Sequence, residues 1–228
     1  MGRRLDICLL ALSLTTTLTL AQAPTPSSSS SRHSHKPAST TASPLDPGAI
    51  TNGLYHNSTL GFSCKIPAGW VLRSDEMNAH NGDDTATSND AKTGIVLLAA
   101  FSRPPEAHAE DVNASILIAA ESASAYPGLK DAAQYFGPLA EITKAQGFAE
   151  VEEPYEVAVG TKTLARADYQ KDIGTRVMRQ STLVMLARGN VVSFTFIGGT
   201  EDEVEELAAG LSFQIARAKS KTSQKSPM

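Results

Sequence analysis

The sequence predicts one α+β domain built on a central antiparallel sheet, and three features of the chain support this prediction. A long apolar hairpin lies between Arg176 and Gly199. Strand-like segments joined by short polar turns precede it, from Tyr155 to Gln170, as in an antiparallel meander. Segments 129–140 and 200–210 have the residue spacing of helices, which would cover the sheet.

The first residues are typical of a secretory signal peptide. Arg3 and Arg4 precede an apolar stretch, Ile7 to Ala21, that is too short to cross a bilayer comfortably. We expect cleavage after Ala21, since cleavage after Ala23 would place a proline directly behind the scissile bond. An uncleaved anchor helix is the alternative. The signal predicts a secreted or periplasmic protein.

Two polar segments flank the predicted domain. Residues 22–47 are rich in Ser, Thr and Pro and have almost no branched apolar side chains, so we expect a disordered tether. Residues 217–228 form a basic tail that is also expected to be disordered. With residues 1–21 removed as the signal, residues 48–216 remain as a single domain, which is long enough to bury one hydrophobic core.

The first part of the domain is predicted to contain short strands and a long loop. Apolar alternation and flanking turns indicate strands at Leu54–Asn57, Leu60–Ile66, Gly94–Phe101 and Ser115–Ala120. The polar run from Ser74 to Thr93 is predicted to be a surface loop, because Asn, Gly and Asp cluster at its middle. Long loops often carry function, which makes this segment a candidate binding region.

A helix is predicted after the fourth strand. Apolar residues recur at helical spacing from Leu129 to Ala140, and Gly147 is a natural helix end. Gly137-Pro138 falls inside this pattern, so we expect a kink or a short break there.

The central hairpin and a closing helix complete the domain. The apolar run Leu183–Ala187 and the strand Val191–Ile197 are predicted to meet at a tight turn made by Gly189-Asn190. Thr200 and Glu203 have the spacing of a capping box for the last helix. That helix is expected to end at Gly210, and its buried stripe would be Val204, Leu207, Ala208 and Leu211.

Charge and cysteine content exclude several classes of protein. The formal net charge of −4 belongs to a nearly balanced surface, without the basic field that nucleic acids require. Only Cys64 remains after removal of the signal, so the mature chain cannot form an intramolecular disulfide. Cys64 shares a strand face with Phe62 and Ile66, which predicts a buried and unreactive thiol.

Candidate catalytic and metal-binding residues are scattered along the chain. Ser63 and Cys64 are potential nucleophiles near His56, with His80 and His108 further on, but no local signature frames them. Carboxylates of the polar run could coordinate calcium, although the spacing of a calcium-binding loop is missing. They are Asp75, Glu76, Asp83, Asp84 and Asp90. We assign no catalytic, cofactor or metal site from these patterns.

Two further patterns concern the surface. Charged residues alternate on the later strands and indicate cross-strand ion pairs or, alternatively, an anion patch. They are Arg166, Asp168, Arg176 and Arg179. The glycan acceptor pattern occurs at Asn57-Ser58-Thr59 and at Asn113-Ala114-Ser115. Its meaning depends on the host.

A set of short motifs is spread over the domain. They are Tyr55, Leu60-Gly61-Phe62 and Ile66-Pro67-Ala68-Gly69-Trp70, followed by Val159-Gly160 and Arg166-Ala167-Asp168. Together they resemble the PsbP-like family, named for an extrinsic lumenal protein of photosystem II, over the range Leu54 to Gln214. The resemblance implies an α-β-α sandwich, an antiparallel sheet of about six strands with helices on both faces. The family consists mostly of non-catalytic binding or assembly factors, and the Ser/Pro-rich tether here indicates a relation of fold and not of role.

We therefore expect a secreted or periplasmic, non-catalytic binding or assembly domain on a flexible tether. Its partner, an unknown protein or envelope component, would bind through a sheet edge or through the loop Ser74 to Thr93. No cofactor, no nucleic acid and no transmembrane segment beyond the signal are expected. The alternative hypothesis is a metal-dependent or hydrolytic envelope enzyme that uses His56, His80 or His108 with the loop carboxylates.

Overall fold

A large antiparallel sheet and a smaller one form the centre of the domain. The structure is a computed structural model and describes residues 45–83, 94–104, 106–107 and 111–213. In chain order its strands are β1 Ala49–Thr51, β2 Leu54–Asn57, β3 Phe62–Lys65, β4 Val71–Leu72, β5 Ile95–Phe101, β6 Ser115–Ser122, β7 Ala149–Glu150, β8 Tyr155–Val159, β9 Lys162–Ile173, β10 Arg176–Ala187, β11 Asn190–Gly198 and β12 Leu211–Phe213. Its α-helices are α1 Ser74–Asp83, α2 Phe136–Ala145 and α3 Glu201–Ala209.

Eight of these strands make up the large sheet and four make up the small one. The large sheet has the order β4-β5-β6-β11-β10-β9, and both β7 and β8 pair with the outer side of β9. The small sheet has the order β1-β2-β3-β12. All neighbouring strands are antiparallel, which confirms the predicted kind of sheet. The second sheet was not predicted.

The two faces of the large sheet are covered by different layers. Leu183 and Met185 of β10 point into a core shared with the small sheet and α3, whereas Val184 points into a second core beneath α2. The small sheet thus fills most of one layer that the sequence resemblance implied to be helical. None of the helices in the described part of the chain is long and apolar enough to cross a membrane.

Aromatic rings join the two sheets. Phe194 of β11 meets Phe62 of β3 edge to face, with ring centroids 4.9 Å apart. Phe213 of β12 also packs on Phe194, at 6.1 Å between centroids. Phe62 and Phe194 are fully buried, so each ring removes apolar surface of the other sheet from water. These contacts fix the small sheet on the face of the large one.

The central hairpin forms as predicted, but its turn lies one residue earlier. Ala187 pairs with Asn190, so the turn consists of Arg188 and Gly189 and the predicted Gly189-Asn190 turn is wrong. Both turn residues have positive φ, 51° and 77°, which matches the twist of a two-residue hairpin. The Asn190 side chain donates to the Arg188 carbonyl and so supports the turn from the first position of β11.

Residues 74–83, predicted to be part of a loop, form helix α1. The loop prediction depended on the polar character of the segment and on the Asn, Gly and Asp residues at its middle, and the segment also lacks the apolar stripe that would indicate a helix. Asp75 and Glu76 lie in the first turn, where carboxylates stabilise the positive end of the helix dipole. The rest of the predicted loop, 84–93, lies outside the described residues.

The predicted long helix is shorter and begins later than expected. α2 starts at Phe136, after a 3₁₀ turn at Ala133–Tyr135. Pro138 therefore lies in the first turn, where backbone N–H groups have no partner within the helix, and it does not break the helix. Gly147 follows the helix with a φ of 86°, which confirms the predicted end.

The last helix and its cap are confirmed. Oγ1 of Thr200 accepts a hydrogen bond from the backbone N–H of Glu203 at 3.1 Å. The Glu203 carboxylate in turn accepts from the N–H of Gly199 at 2.7 Å. The return bond thus reaches the residue before the cap, which is a variant of the capping box. Gly210 follows the last helical residue, as predicted.

Residues just before β1 take part in the fold. The Tyr55 hydroxyl donates to the backbone carbonyl of Pro47 at 2.8 Å. Nδ2 of Asn57 donates to the backbone carbonyl of Asp46, also at 2.8 Å. Because Tyr55 and Asn57 are both almost fully buried, these carbonyls satisfy polar groups that water does not reach.

We expect a chain shortened to begin at Gly48 to be less stable than one that begins at Ser43. The shorter chain loses the acceptors of Tyr55 and Asn57, and each buried group left unsatisfied costs about 1–3 kcal/mol. Urea unfolding of the two chains measures the difference. Equal unfolding midpoints would mean that residues up to Pro47 are dispensable, as the tether predicted from the sequence implies.

The cap of α3 gives a second stability prediction. Thr200→Ala removes the acceptor for the N–H of Glu203 and is expected to lower the free energy of unfolding by about 1 kcal/mol. Thr200→Ser keeps a hydroxyl at the same position and serves as the matched control. A Thr200→Ala protein as stable as the serine variant, measured by denaturant unfolding, would mean that the cap contributes nothing.

Candidate functional site

On the β5 side, hydrogen bonds close the edge of the large sheet. β4 pairs with the end of β5, and the next residue, Arg73, donates its backbone N–H to the carbonyl of Ala99 at 2.9 Å. α1 continues this pairing with side chains, since Oγ of Ser74 accepts from the N–H of Ala99 at 2.9 Å. Asn78 bonds both backbone groups of Val96, donating at 2.8 Å and accepting at 2.9 Å. α1 therefore takes the place of a neighbouring strand.

On the opposite side, residues 149–159 form the edge of the large sheet, which we call the β7–β8 edge. α2 packs beside β7, and β12 lies near β8. β8 joins β9 through a two-residue turn, so Val159 and Lys162 beside the turn exchange both backbone hydrogen bonds. From this point along the strand, hydrogen-bonded and non-hydrogen-bonded residue pairs alternate. Glu156 and Ala158 belong to non-hydrogen-bonded pairs, so their N–H and C=O groups point away from β9. In the described part of the chain, these outward groups have no hydrogen-bond partner, and both residues are exposed.

The side chains along the β7–β8 edge are acidic with apolar residues between them. The exposed carboxylates belong to Glu150, Glu152, Glu153 and Glu156, and residues 149–159 include no Lys or Arg. Val151 and Tyr155 lie among them, with 52% and 37% of their surface exposed. A strand edge of this kind offers backbone groups, negative charge and apolar contact to an extended chain.

A polar cluster on β9 and α3 holds Tyr155 at the start of β8. The Tyr155 hydroxyl donates to the Asp168 carboxylate at 2.8 Å. Nε of Arg166 donates to the same carboxylate at 3.0 Å, and Nη2 of Arg166 pairs with Glu205 of α3. The Arg166 guanidinium lies 5.9 Å from the centroid of the Tyr155 ring, which is a cation–π contact. Burial, followed by the hydrogen bond to Asp168, raises the pKa of Tyr155 to about 12, so the hydroxyl stays a donor at neutral pH.

The alternating charged residues do not form the predicted cross-strand pairs. Arg166 pairs with Asp168 two positions along the same strand, at 3.0 Å, and with Glu205 of α3. Arg176 and Arg179 form no ion pair with any described residue. Because two carboxylates neutralise Arg166, this cluster does not form an anion patch.

The catalytic candidates predicted from the sequence are only partly brought together. His56 of β2 and Ser63 of β3 face each other across the small sheet, with Nδ1 2.9 Å from Oγ. β3 lies between β2 and β12, and its backbone N–H groups are hydrogen-bonded to these two strands. β3 therefore has no free N–H group that could stabilise an oxyanion. The structure describes the backbone of His80, which belongs to α1, but not its side chain. His108 lies outside the described residues.

The structure describes the side chains of only two of the five loop carboxylates, Asp75 and Glu76. Asp75 and Glu76 lie in the first turn of α1, where Glu76 pairs with a neighbouring arginine. Asp84 and Asp90 lie outside the described residues, as does the side chain of Asp83. Among the residues that the structure describes, no three potential ligands come together to hold a metal ion.

Both glycan acceptor patterns use their asparagine within the fold. Asn57 is fully buried, and its Nδ2 donates to Asp46. Nδ2 of Asn113 donates to the carbonyl of Arg103 at 3.0 Å. A glycan on either nitrogen would replace these bonds, and Asn57 is in addition fully buried, so modification of Asn57 is not compatible with the folded domain.

Comparisons with known proteins find similar solved structures at low identity. No family model matches the chain, and no curated protein sequence does. The similar structures include PsbP of Synechocystis sp. PCC 6803, with 15% identity over 71% of this chain and 91% of that one and a TM-score of 0.42. LpqN of Mycobacterium tuberculosis, involved in cell envelope biogenesis, has 13% identity over 75% of this chain and 87% of that one, with a TM-score of 0.36. The Ran-binding protein Mog1p of Saccharomyces cerevisiae has 11% identity over 72% and 96%, with a TM-score of 0.38.

A PsbP protein, from the family that the sequence motifs resemble, is therefore among the similar structures. Fold similarity does not imply a shared function, and at such identities and TM-scores no activity or partner is transferred to this chain.

The β7–β8 edge was not predicted residue by residue. The sequence predicts binding through a sheet edge or the loop Ser74 to Thr93, but a strand order is needed to know which edge has unpaired backbone groups. One signal was present, namely the four glutamates between positions 149 and 159. Such a run is also typical of a solvent-exposed face that binds nothing. Because β9 pairs with β10 on one side and with β8 on the other, the structure shows that the glutamates lie on an outer edge of the sheet.

Cys64 allows a direct test of the non-catalytic interpretation. It is fully buried, as predicted, and burial raises the pKa of its thiol to about 12. Because the thiolate is the reactive form and is scarce below that pKa, the native mature chain should alkylate slowly near neutral pH. The urea-unfolded chain is the control and should alkylate promptly. Prompt labelling of the native chain would mean that Cys64 is accessible and reactive, and it would support a cysteine-based activity.

Proposed function

We propose that this protein is an extracytoplasmic, non-catalytic binding domain that holds its partner against the β7–β8 edge. The observation that carries the proposal is the outward side of Glu156 and Ala158, whose backbone groups have no partner in the described part of the chain. Unpaired groups on an exposed strand edge favour the addition of another chain. The domain would therefore act by capture and positioning rather than by chemistry.

The other surfaces considered from the sequence suit this role less well. The β5 edge is covered by β4 and α1, so its backbone groups are already bonded. The described half of the segment 74–93 is α1 itself, whose polar side chains serve that cover. At the small sheet, the outer strands β1 and β12 have only three residues each. The β7–β8 edge offers the longest open backbone among these.

Sequence features support the extracytoplasmic part of the proposal. Residues 1–21 have the charge and apolar length of a secretory signal, and residues 22–47 have the composition of a tether. A flexible chain of roughly 25 residues spans about 30 Å on average. Such a tether would let the domain meet a partner at some distance from a surface.

A hydrolytic activity is the second candidate, because His56 and Ser63 share a hydrogen bond. Against it, Ser63 is only 8% exposed and lies on a sheet strand without free backbone donors. Ser212 pairs with Ser63 in the next strand and is exposed, so it provides a matched control. A hydrolytic activity that Ser63→Ala abolishes and Ser212→Ala retains would reverse our preference.

Site-specific crosslinking tests the binding proposal. A photoreactive residue is placed at Ala158 in the full chain, and crosslinked products in the native envelope are identified by mass spectrometry. We expect a discrete partner from position 158. The control position, Asp75, is exposed and belongs to α1, which packs on β5 at the opposite edge of the sheet, so it should not give this partner. The same products from both positions, or none from position 158, would contradict the proposal.

A further inference from the structure

We infer that the partner presents an extended basic segment, which adds to the β7–β8 edge as a strand beside β8. The inference rests on the proposed binding function and specifies the chemistry of its partner. Three properties of the edge support it: its free backbone groups, its charge, and the division of its side chains between two faces.

The backbone determines the conformation of the segment. Two alternate residues of β8, Glu156 and Ala158, each direct one N–H and one C=O outward. Alternate spacing of donors and acceptors matches an extended chain and not a helix, whose own backbone groups are bonded internally. The segment must therefore be extended over about the length of β8.

The charge determines the composition of the segment. Four carboxylates line residues 149–159 without a Lys or Arg among them, whereas the nearby Arg166 is already paired with Asp168 and Glu205. Opposite charges on neighbouring strands stabilise pairing and like charges oppose it. Lys or Arg on the added strand would face Glu156 from the same side of the sheet.

The two faces of β8 determine the pattern of the segment. Glu156 and Ala158 lie on one face, and both are exposed. Val157 and Val159 lie on the other face and pack against the main core, next to the exposed ring of Tyr155. An added strand would therefore place basic residues on the first face, and small or apolar residues at the alternate positions.

The same charges disfavour a second copy of this chain as the occupant. Two β8 strands paired edge to edge would bring the glutamates of both copies together, and like charges at such short range destabilise a sheet. Charged edge residues are a common protection against self-association, and here they also select a partner of opposite sign.

Peptide binding to the full chain tests the inference. The probe is a peptide of alternating Lys and Thr. One control replaces every Lys by Glu, and another keeps the Lys residues but carries N-methyl groups on alternate amides. We expect the Lys peptide to bind, the Glu peptide not to bind, and N-methylation to weaken binding about tenfold because donors for the strand pairing are lost. Binding should also weaken as salt is raised.

Variants at Ala158 separate strand addition from simple charge attraction. Ala158→Pro removes the outward N–H at a position where an edge strand tolerates proline, and should weaken peptide binding about tenfold. Ala158→Val keeps the N–H and should bind as the parent chain does. Glu152→Gln with Glu156→Gln should also weaken binding. Thermal melting of each variant confirms that the fold is retained.

Three outcomes would overturn the inference. If Ala158→Pro and the N-methylated peptide bind as tightly as their controls, the attraction is electrostatic and no strand is added. If the peptide binds only after deletion of residues 214–228, the occupant is this chain's own basic segment, in which Arg217, Lys219 and Lys221 alternate with small residues. If no peptide binds although position 158 crosslinks a partner, the binding function stands and the partner is of another chemical class.

Discussion

The contact of Phe194 with Phe62 and Phe213 is the interaction on which the arrangement of layers depends. The strands of the small sheet have three or four residues each, and a sheet so short is not stable on its own in water. Full burial of one phenylalanine contributes about 1.5–3 kcal/mol, against a total stability of about 5–15 kcal/mol for a typical domain. The aromatic contact is therefore a large part of what holds the small sheet, and with it the buried side of β3.

Elements whose signals lie close together in the chain could be predicted from the sequence. The hairpin β10–β11 needs only a turn and two apolar runs, and the cap of α3 needs only Thr200 and Glu203. The turn was placed one residue late because Asn190 tolerates positive φ, while in the structure Arg188 adopts it. Predictions of this kind fail by a residue, since several neighbours satisfy the same local requirement.

Elements that depend on distant partners could not be predicted. β12 is three residues long, and it is a strand only because it pairs with β3, which is far away in the sequence. α1 has no apolar stripe, and it is held by Ser74 and Asn78, whose bonds to β5 require both elements to be in place. The candidate site follows the same rule. Its glutamates are visible in the sequence, but the unpaired side of Glu156 and Ala158 follows from the register of β8 on β9.

The cover that α1 places on β5 makes the large sheet one-sided. Linear polymers built by joining sheets need every subunit to supply two complementary borders, one to receive and one to donate. Here the far border is occupied by the side chains of Ser74 and Asn78, so a strand that joins at β8 has no second site from which the array can continue. A strand added at this border would therefore complete the large sheet instead of starting an array, so the association that we propose would be self-terminating.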